Sequence, residues 1–184
     1  PDLSMAVAQL DSIDSDAFSD RAALRYLLAR IKLAELSGNW DAAIAEATSY
    51  LRNRRTPEQA AVLLKLGEAF YRNGNYGEAR IQFLQIAKLE DAVPHHEIAR
   101  FYAAKSGLRV GTPEAIESAL ELMQQVAAEN GPLAVEARLQ LGRSHLDDGQ
   151  PERALAELSP IITEDANHDA RIDALIMAAE AHRA

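Results

Sequence analysis

Residues 63–91 read LLKLGEAFYRNGNYGEARIQFLQIAKLED. Leu63, Leu66, Gly67 and Phe70 fall on one helical face, and Tyr76, Ala79, Phe83, Ile86 and Ala87 fall on another. Asn73, Gly74 and Asn75 between them are turn residues. The stretch therefore predicts two helices joined by a tight turn. The step of seven residues from Gly67 to Gly74 recurs from Ile31 to Gly38, Ala104 to Gly111 and Gly142 to Gly149. Successive turn glycines are 36, 37 and 38 residues apart. That period fits one helix-turn-helix unit per repeat and excludes a single shared core.

The prolines mark the same period independently. Pro57, Pro94 and Pro132 are spaced by 37 and 38 residues, and Pro113 and Pro151 by 38. Proline is tolerated in the first helical turn, where its missing N–H would have no partner, so each series marks helix starts. Working outward, residues 1–20 form the second helix of a preceding unit, with Leu3, Ala6, Val7, Leu10 and Ile13 at helical spacing over residues 3–13. Repeat 1 covers 21–56, with helices from Arg21 to Leu36 and from Trp40 to Leu51. Repeat 2 covers 57–93. Repeat 3, at 94–131, is degenerate: its second helix runs from Pro113 to about Glu129, and the alanine expected after the turn is displaced to Ala115 or Ala119. Repeat 4 covers 132–167, where Pro160 should bend or end the second helix. Residues 168–184 are the first helix of an incomplete unit, running from Asp169 to Arg183, and the chain reads as an excerpt of a longer protein.

Composition narrows the function. The chain has 184 residues, 48% hydrophobic and 26% charged, with a net charge of −9. Residues 1–55 hold 7 basic and 8 acidic side chains, 56–130 hold 7 and 10, and 131–184 hold 5 and 10. Such a charge repels phosphate backbones, and the basic run Arg52, Arg54 and Arg55 closes a helix, so nucleic acid is not expected as a partner. Without cysteine there is no disulfide frame, thiol nucleophile or cysteine-ligated metal. No apolar run approaches the ~20 residues of a membrane span, so membrane insertion is not expected, and the compartment stays open between cytoplasm and a bacterial periplasm.

Leu66-Gly67, Phe70, Gly74, Tyr76, Ala79 and Phe83 stand at offsets that resemble a tetratricopeptide repeat. Repeat 1 keeps Leu27, Gly38, Trp40 and Ala43 but has Ile31 for the usual small residue, and repeat 4 keeps Leu141-Gly142, Gly149 and Ala154. Close helix approach explains the small residues: Gly67 or Gly142 should let Ala79 or Ala154 of the antiparallel partner come near. The resemblance covers about residues 21 to 184, although these units are longer than the family's usual ~34 residues. It implies an all-α, right-handed α-solenoid of about four repeats plus unpaired terminal helices, whose first helices line a concave groove that binds peptides or helices of partner proteins.

Carried over position by position, the resemblance assigns the groove to Arg25, Leu28 and Lys32, then Ala61, Leu64, Glu68 and Tyr71, then Ile98, Phe101 and Lys105. Glu136, Leu139 and Arg143 follow, then Asp173, Ile176 and Glu180. One row is apolar (Leu28, Leu64, Phe101, Leu139, Ile176) and its neighbour charged (Lys32, Glu68, Lys105, Arg143, Glu180), which implies an amphipathic groove. A helix phase differing by one residue would instead make the apolar row inter-repeat core. Leu28 and Lys32 stand where relatives that bind acidic C-terminal tails carry a lysine and an asparagine, so chaperone-tail binding is not expected.

The adjacent His95 and His96 point about 100° apart on a helix and lack the spacing of three or four that helical metal ligands need. They read as a solvated helix start. His145 and His182 occupy the slot of Phe70 and read as packing residues whose protonation would loosen a repeat. No phosphate loop, nucleophile elbow or paired carboxylates appear, so neither catalysis nor a cofactor is expected. The expected function is a non-catalytic protein–protein interaction scaffold within a multiprotein assembly. The alternatives are a spacer or homo-oligomerisation segment joined through its end helices, and a recruiting domain of a larger enzyme or envelope export machine.

Overall fold

The computed structural model describes residues 3–13, 18–53, 58–163 and 168–183, which form ten α-helices and one short 3-10 turn and no strand. They group into two compact units, Pro1–Ala99 and Arg100–Ala184.

The first unit holds α1 (Ser4–Asp11), α2 (Asp20–Leu36), α3 (Trp40–Asn53), α4 (Gln59–Arg72), α5 (Tyr76–Ile86), a 3-10 turn at Glu90–Ala92 and the start of α6 (Val93–Val110). The pairs α2/α3 and α4/α5 pack internally, and α3 packs on α4. Ala23, Leu27, Ile31, Ala34, Ala43, Ala47, Val62, Leu66 and Ala69 share one core cluster. Helix α1 is anchored to α2 by polar contacts: Tyr26 Oη donates to the Leu10 carbonyl at 3.1 Å, and the Arg30 guanidinium bridges Asp11 and Glu46. No residue of α1 is fully buried, and Met5 and Val7 are exposed.

The second unit holds the remainder of α6, then α7 (Pro113–Ala128), α8 (Ala134–Asp147), α9 (Pro151–Thr163) and α10 (His168–Ala181). Here α7 packs on α8, α8 on α9, and α10 on both α8 and α9. Phe101, Ala104, Ala119, Met123, Val126, Ala137 and Leu141 form one core cluster, and Leu139, Leu158, Ile161, Ala174, Met177 and Ala178 form another.

The turns explain why the units repeat so evenly. Gly38, Gly74, Gly111 and Gly149 have φ of +69°, +83°, +77° and +68°, a region that side chains with a Cβ avoid. At three of them the cap is the same pair of bonds. Gly38 N–H donates to the Glu35 carbonyl and Asn39 N–H to that of Ala34; Gly74 and Asn75 repeat this on Tyr71 and Phe70, and Gly149 and Gln150 on Leu146 and His145. The next helix then starts at once, with Asn39 Oδ1 accepting from Ala42 N–H at 3.2 Å in the first unit. At Gly111 the cap is different: Gly111 N–H donates to the Gly107 carbonyl at 3.2 Å, and Thr112 Oγ1 accepts from Ala115 N–H ahead of Pro113.

That difference accompanies a rotation of α7. In the regular repeats the buried small residue lies five positions after the turn glycine (Ala43, Ala79, Ala154), whereas after Gly111 burial falls on Ala115 and Ala119, four and eight positions on. The displaced alanine expected in repeat 3 is this shift of one residue in helix phase.

Several local expectations are corrected. An added Cβ on Gly67 would lie 2.7 Å from the Phe83 ring, and one on Gly142 would lie 2.9 Å from Leu158 Cδ2, so the groups nearest these glycines are Phe83 and Leu158, beyond the small Ala79 and Ala154 that the spacing singled out. Of the two outcomes expected at Pro160, an early end does not occur: α9 continues to Thr163, and Ile161 beyond the proline is buried in one cluster with Leu158 and Met177. Pro94, Pro113 and Pro151 open helices as expected, Pro132 lies in the turn before α8, and Pro57 lies outside the described residues. His145 is buried on α8, but His182 follows the end of α10 and is exposed. His96 is half-buried, with Nε2 hydrogen-bonded to the Leu89 carbonyl at 2.8 Å, and so fastens the 3-10 turn to α6 instead of being a solvated residue.

Candidate functional site

Within the first unit, the expected groove positions lie on α2, α4 and the start of α6. Arg25, Leu28 and Lys32 are exposed, while Ala61, Leu64, Glu68, Tyr71 and Ile98 are half-buried. The charged members do not stand alone. Lys32 Nζ meets Glu35 at 3.3 Å on its own helix, Lys65 Nζ crosses from α4 to Glu35 at 3.7 Å, and Lys65 also meets Glu68 at 2.7 Å. Burial by itself lowers the Lys65 ammonium pKa, but the hydrogen bond to Glu68 and the charges of Glu68 and Glu35 outweigh it, and the net shift is upward. This ladder ties neighbouring first helices together and cancels most of the charge of that row. Glu35 and Lys65 were missed by the positional argument, although each lies three residues from an assigned residue on the same helix, the spacing at which side chains meet. Tyr71 packs edge-on against Tyr76, ring centroids 5.2 Å apart.

In the second unit the positions divide differently. Phe101 is 3% exposed and Leu139 is 8% exposed, and both belong to core clusters. Lys105 Nζ sits 5.4 Å from the Phe101 ring centroid, so the cation shields the ring instead of leaving it open. The expectation that Phe101 presents a free apolar face to a partner is therefore corrected: Met123, Val126 and Leu141 already occupy its surroundings.

Ile176 on α10 has the same register and is 53% exposed. Glu136, Leu139 and Arg143 of α8 and Asp173 and Ile176 of α10 line one open depression of about 290 Å3, together with Gln140 and Met177. All five groove positions assigned to these helices other than Glu180 thus meet in one place. Glu180 stands beside it, accepting from Arg143 Nη1 at 2.9 Å. Gln140 Nε2 donates to Glu136 at 3.2 Å. Leu139, Ile176 and Met177 supply the apolar part of the lining, and Glu136, Gln140, Arg143 and Asp173 supply a larger polar part. Among the described residues no group of three His, Cys, Asp or Glu is placed to hold a metal ion.

A model of the tetratricopeptide repeat family matches residues 28–97 and 116–168. The chain belongs to the tetratricopeptide repeat family. Its fold is an α-solenoid of paired helices, and members of this family generally serve as protein–protein interaction scaffolds and are typically non-catalytic. Among solved structures, a single-substitution form of nearly identical TPR-like repeats of a putative kinesin light chain from Podosopora anserina is similar at a TM-score of 0.70 and 19% identity, over 90% of this chain and 88% of that one. A second structure of those Podosopora anserina repeats gives 0.67 at 20% identity, over 87% and 85%. MamA gives 0.62 at 17% identity, over 83% and 92%. Identities this low speak for the tetratricopeptide fold alone. No curated protein matches the chain in sequence. No described helix is long and apolar enough to cross a membrane.

Proposed function

We propose that this tetratricopeptide repeat chain is a non-catalytic scaffold that holds a peptide or helix of another protein against the inner face of its first helices. The observation that carries the reading is the open depression between α8 and α10, which Glu136, Leu139, Arg143, Asp173 and Ile176 line together. A half-exposed Ile176 beside buried Leu139 leaves apolar area uncovered where a partner side chain would gain by burial. Leu28 and Leu64 are the corresponding positions in the first unit.

A photo-crosslinking residue placed at Ile176 or Leu28 in cells, with Ile81 on the exposed side of α5 as control, tests the reading. Heterologous adducts at the two inner positions and none at Ile81 are expected. Adducts confined to Ile81 would overturn it.

A second reading, self-association, is favoured by one specific observation: Met5 and Val7 on α1 are 70% and 42% exposed, and Ile172 and Leu175 on α10 are 45% and 48% exposed. Sedimentation over a concentration series separates the two readings. A dimer abolished by Leu175→Lys supports self-association, and a monomer throughout removes it.

A further inference from the structure

The rim of the depression in the second unit carries more than a shape. Among the described residues, Arg143 is taken up by Glu180, Glu136 accepts only the neutral amide of Gln140, and no ion pair or hydrogen bond engages the Asp173 side chain. Glu136 and Asp173 therefore line the depression beside Leu139, Ile176 and Met177 with no cation paired to either carboxylate. The first unit differs, since its lysines Lys32 and Lys65 interleave with Glu35 and Glu68 and leave that row balanced. The imbalance is local and also regional: residues 100–184 hold 8 basic and 14 acidic side chains.

We infer that this depression, if it serves the docking role proposed above, takes a cationic amphipathic segment of a second protein. One apolar side chain enters between Leu139, Ile176 and Met177, and flanking lysine or arginine side chains meet Glu136 and Asp173. An acidic segment would bring like charges onto an unneutralised rim, and a purely polar one would leave Ile176 uncovered. The chain's net charge of −9 disfavours a second copy as the occupant.

The test uses three labelled synthetic peptides of equal length: one built of leucine and lysine at helical spacing, its leucine/glutamate twin, and a serine/lysine twin without apolar residues. Anisotropy gives affinity, and amide chemical-shift changes on the full chain give location. The leucine/lysine peptide is expected to bind with shifts on α8 and α10, to weaken about fivefold in Glu136→Gln/Asp173→Asn, and to lose much of its salt dependence there. The twins are expected to bind at least about tenfold more weakly. Equal binding of the leucine/glutamate twin on the same helices would overturn the charge preference while leaving docking intact. Absence of shifts on α8 and α10 with every peptide would overturn docking at this face as well. Self-association that buries Ile176 without peptide, read by sedimentation of Ile176→Glu against the parent, would make a second copy the occupant and overturn the inference.

Discussion

The ring of Phe83 stands 2.7 Å from the point where a side chain on Gly67 would begin, and it is fully buried there. The same two positions are filled by Gly142 and Leu158 in the second unit, and by Ile31 and Ala47 in the first repeat, always sixteen residues apart. Large and small have exchanged sides: Ile31 is 2% exposed and Ala47 is fully buried. The isoleucine that departs from the family pattern is compensated by the small residue on the facing helix, so that the summed volume between helices is kept.

Gly67→Ala should therefore destabilise the protein by about 1–3 kcal/mol despite alanine's better helix propensity, because the methyl meets a ring with nowhere to go. Phe83→Ala should cost about 3–5 kcal/mol by leaving a cavity. The double variant should recover at least about 1 kcal/mol relative to the sum, since the new methyl then enters the vacated space. Urea unfolding of the four proteins measures this, and strict additivity would show that the contact has no energetic weight.

Gly149→Ala should cost about 1 kcal/mol, since its φ of +68° strains any residue with a Cβ although nothing lies within 4 Å. Gly77→Ala on α5 should be neutral or stabilising by up to about 1 kcal/mol, because Gly77 has open space and an ordinary φ. Thermal midpoints of the two variants should move in opposite directions or at least differ clearly.

Phe101→Glu should unfold the second unit, because an unpaired carboxylate would enter a cluster with Met123 and Leu141. Ile176→Glu, at the corresponding place on α10, should leave far-UV circular dichroism unchanged and shift stability by no more than about 0.5 kcal/mol. Equal loss of helicity in both would mean that Ile176 is core too.

Lys65 sets an alkaline limit. Its folded pKa is raised, so its contribution is complete below the unfolded pKa of about 10.4 and is lost as pH rises through the higher folded value. The urea midpoint of the parent should fall above about pH 10 more steeply than that of Lys65→Met. Because Lys65 is more than a third exposed, the difference should shrink in high salt. Parallel pH profiles would remove Lys65 as the titrating group.

The juxtaposition of residues in the candidate depression was legible only through the family resemblance. Glu136, Leu139, Arg143, Asp173 and Ile176 were assigned to one face by the family resemblance, carried over position by position, and they line one depression. The ion pairs among Lys32, Glu35, Lys65 and Glu68 were not foreseen, since pairing across helices depends on distances that spacing along one helix does not encode. The exposure of His182 and the cover on Phe101 were likewise invisible, because each depends on which other helix lies alongside.

Turn positions, helix starts and the repeat itself were determined by the chain's own residues, because a left-handed φ at Gly38, Gly74, Gly111 and Gly149 and a proline at a helix start are constraints that one short segment imposes on itself. Whether a side chain at one register position of the first helices is core or surface was decided only in three dimensions. Phe101 and Ile176 share a register yet are 3% and 53% exposed, for burial is a property of neighbours brought in from distant parts of the chain and of a helix phase that one altered cap can turn.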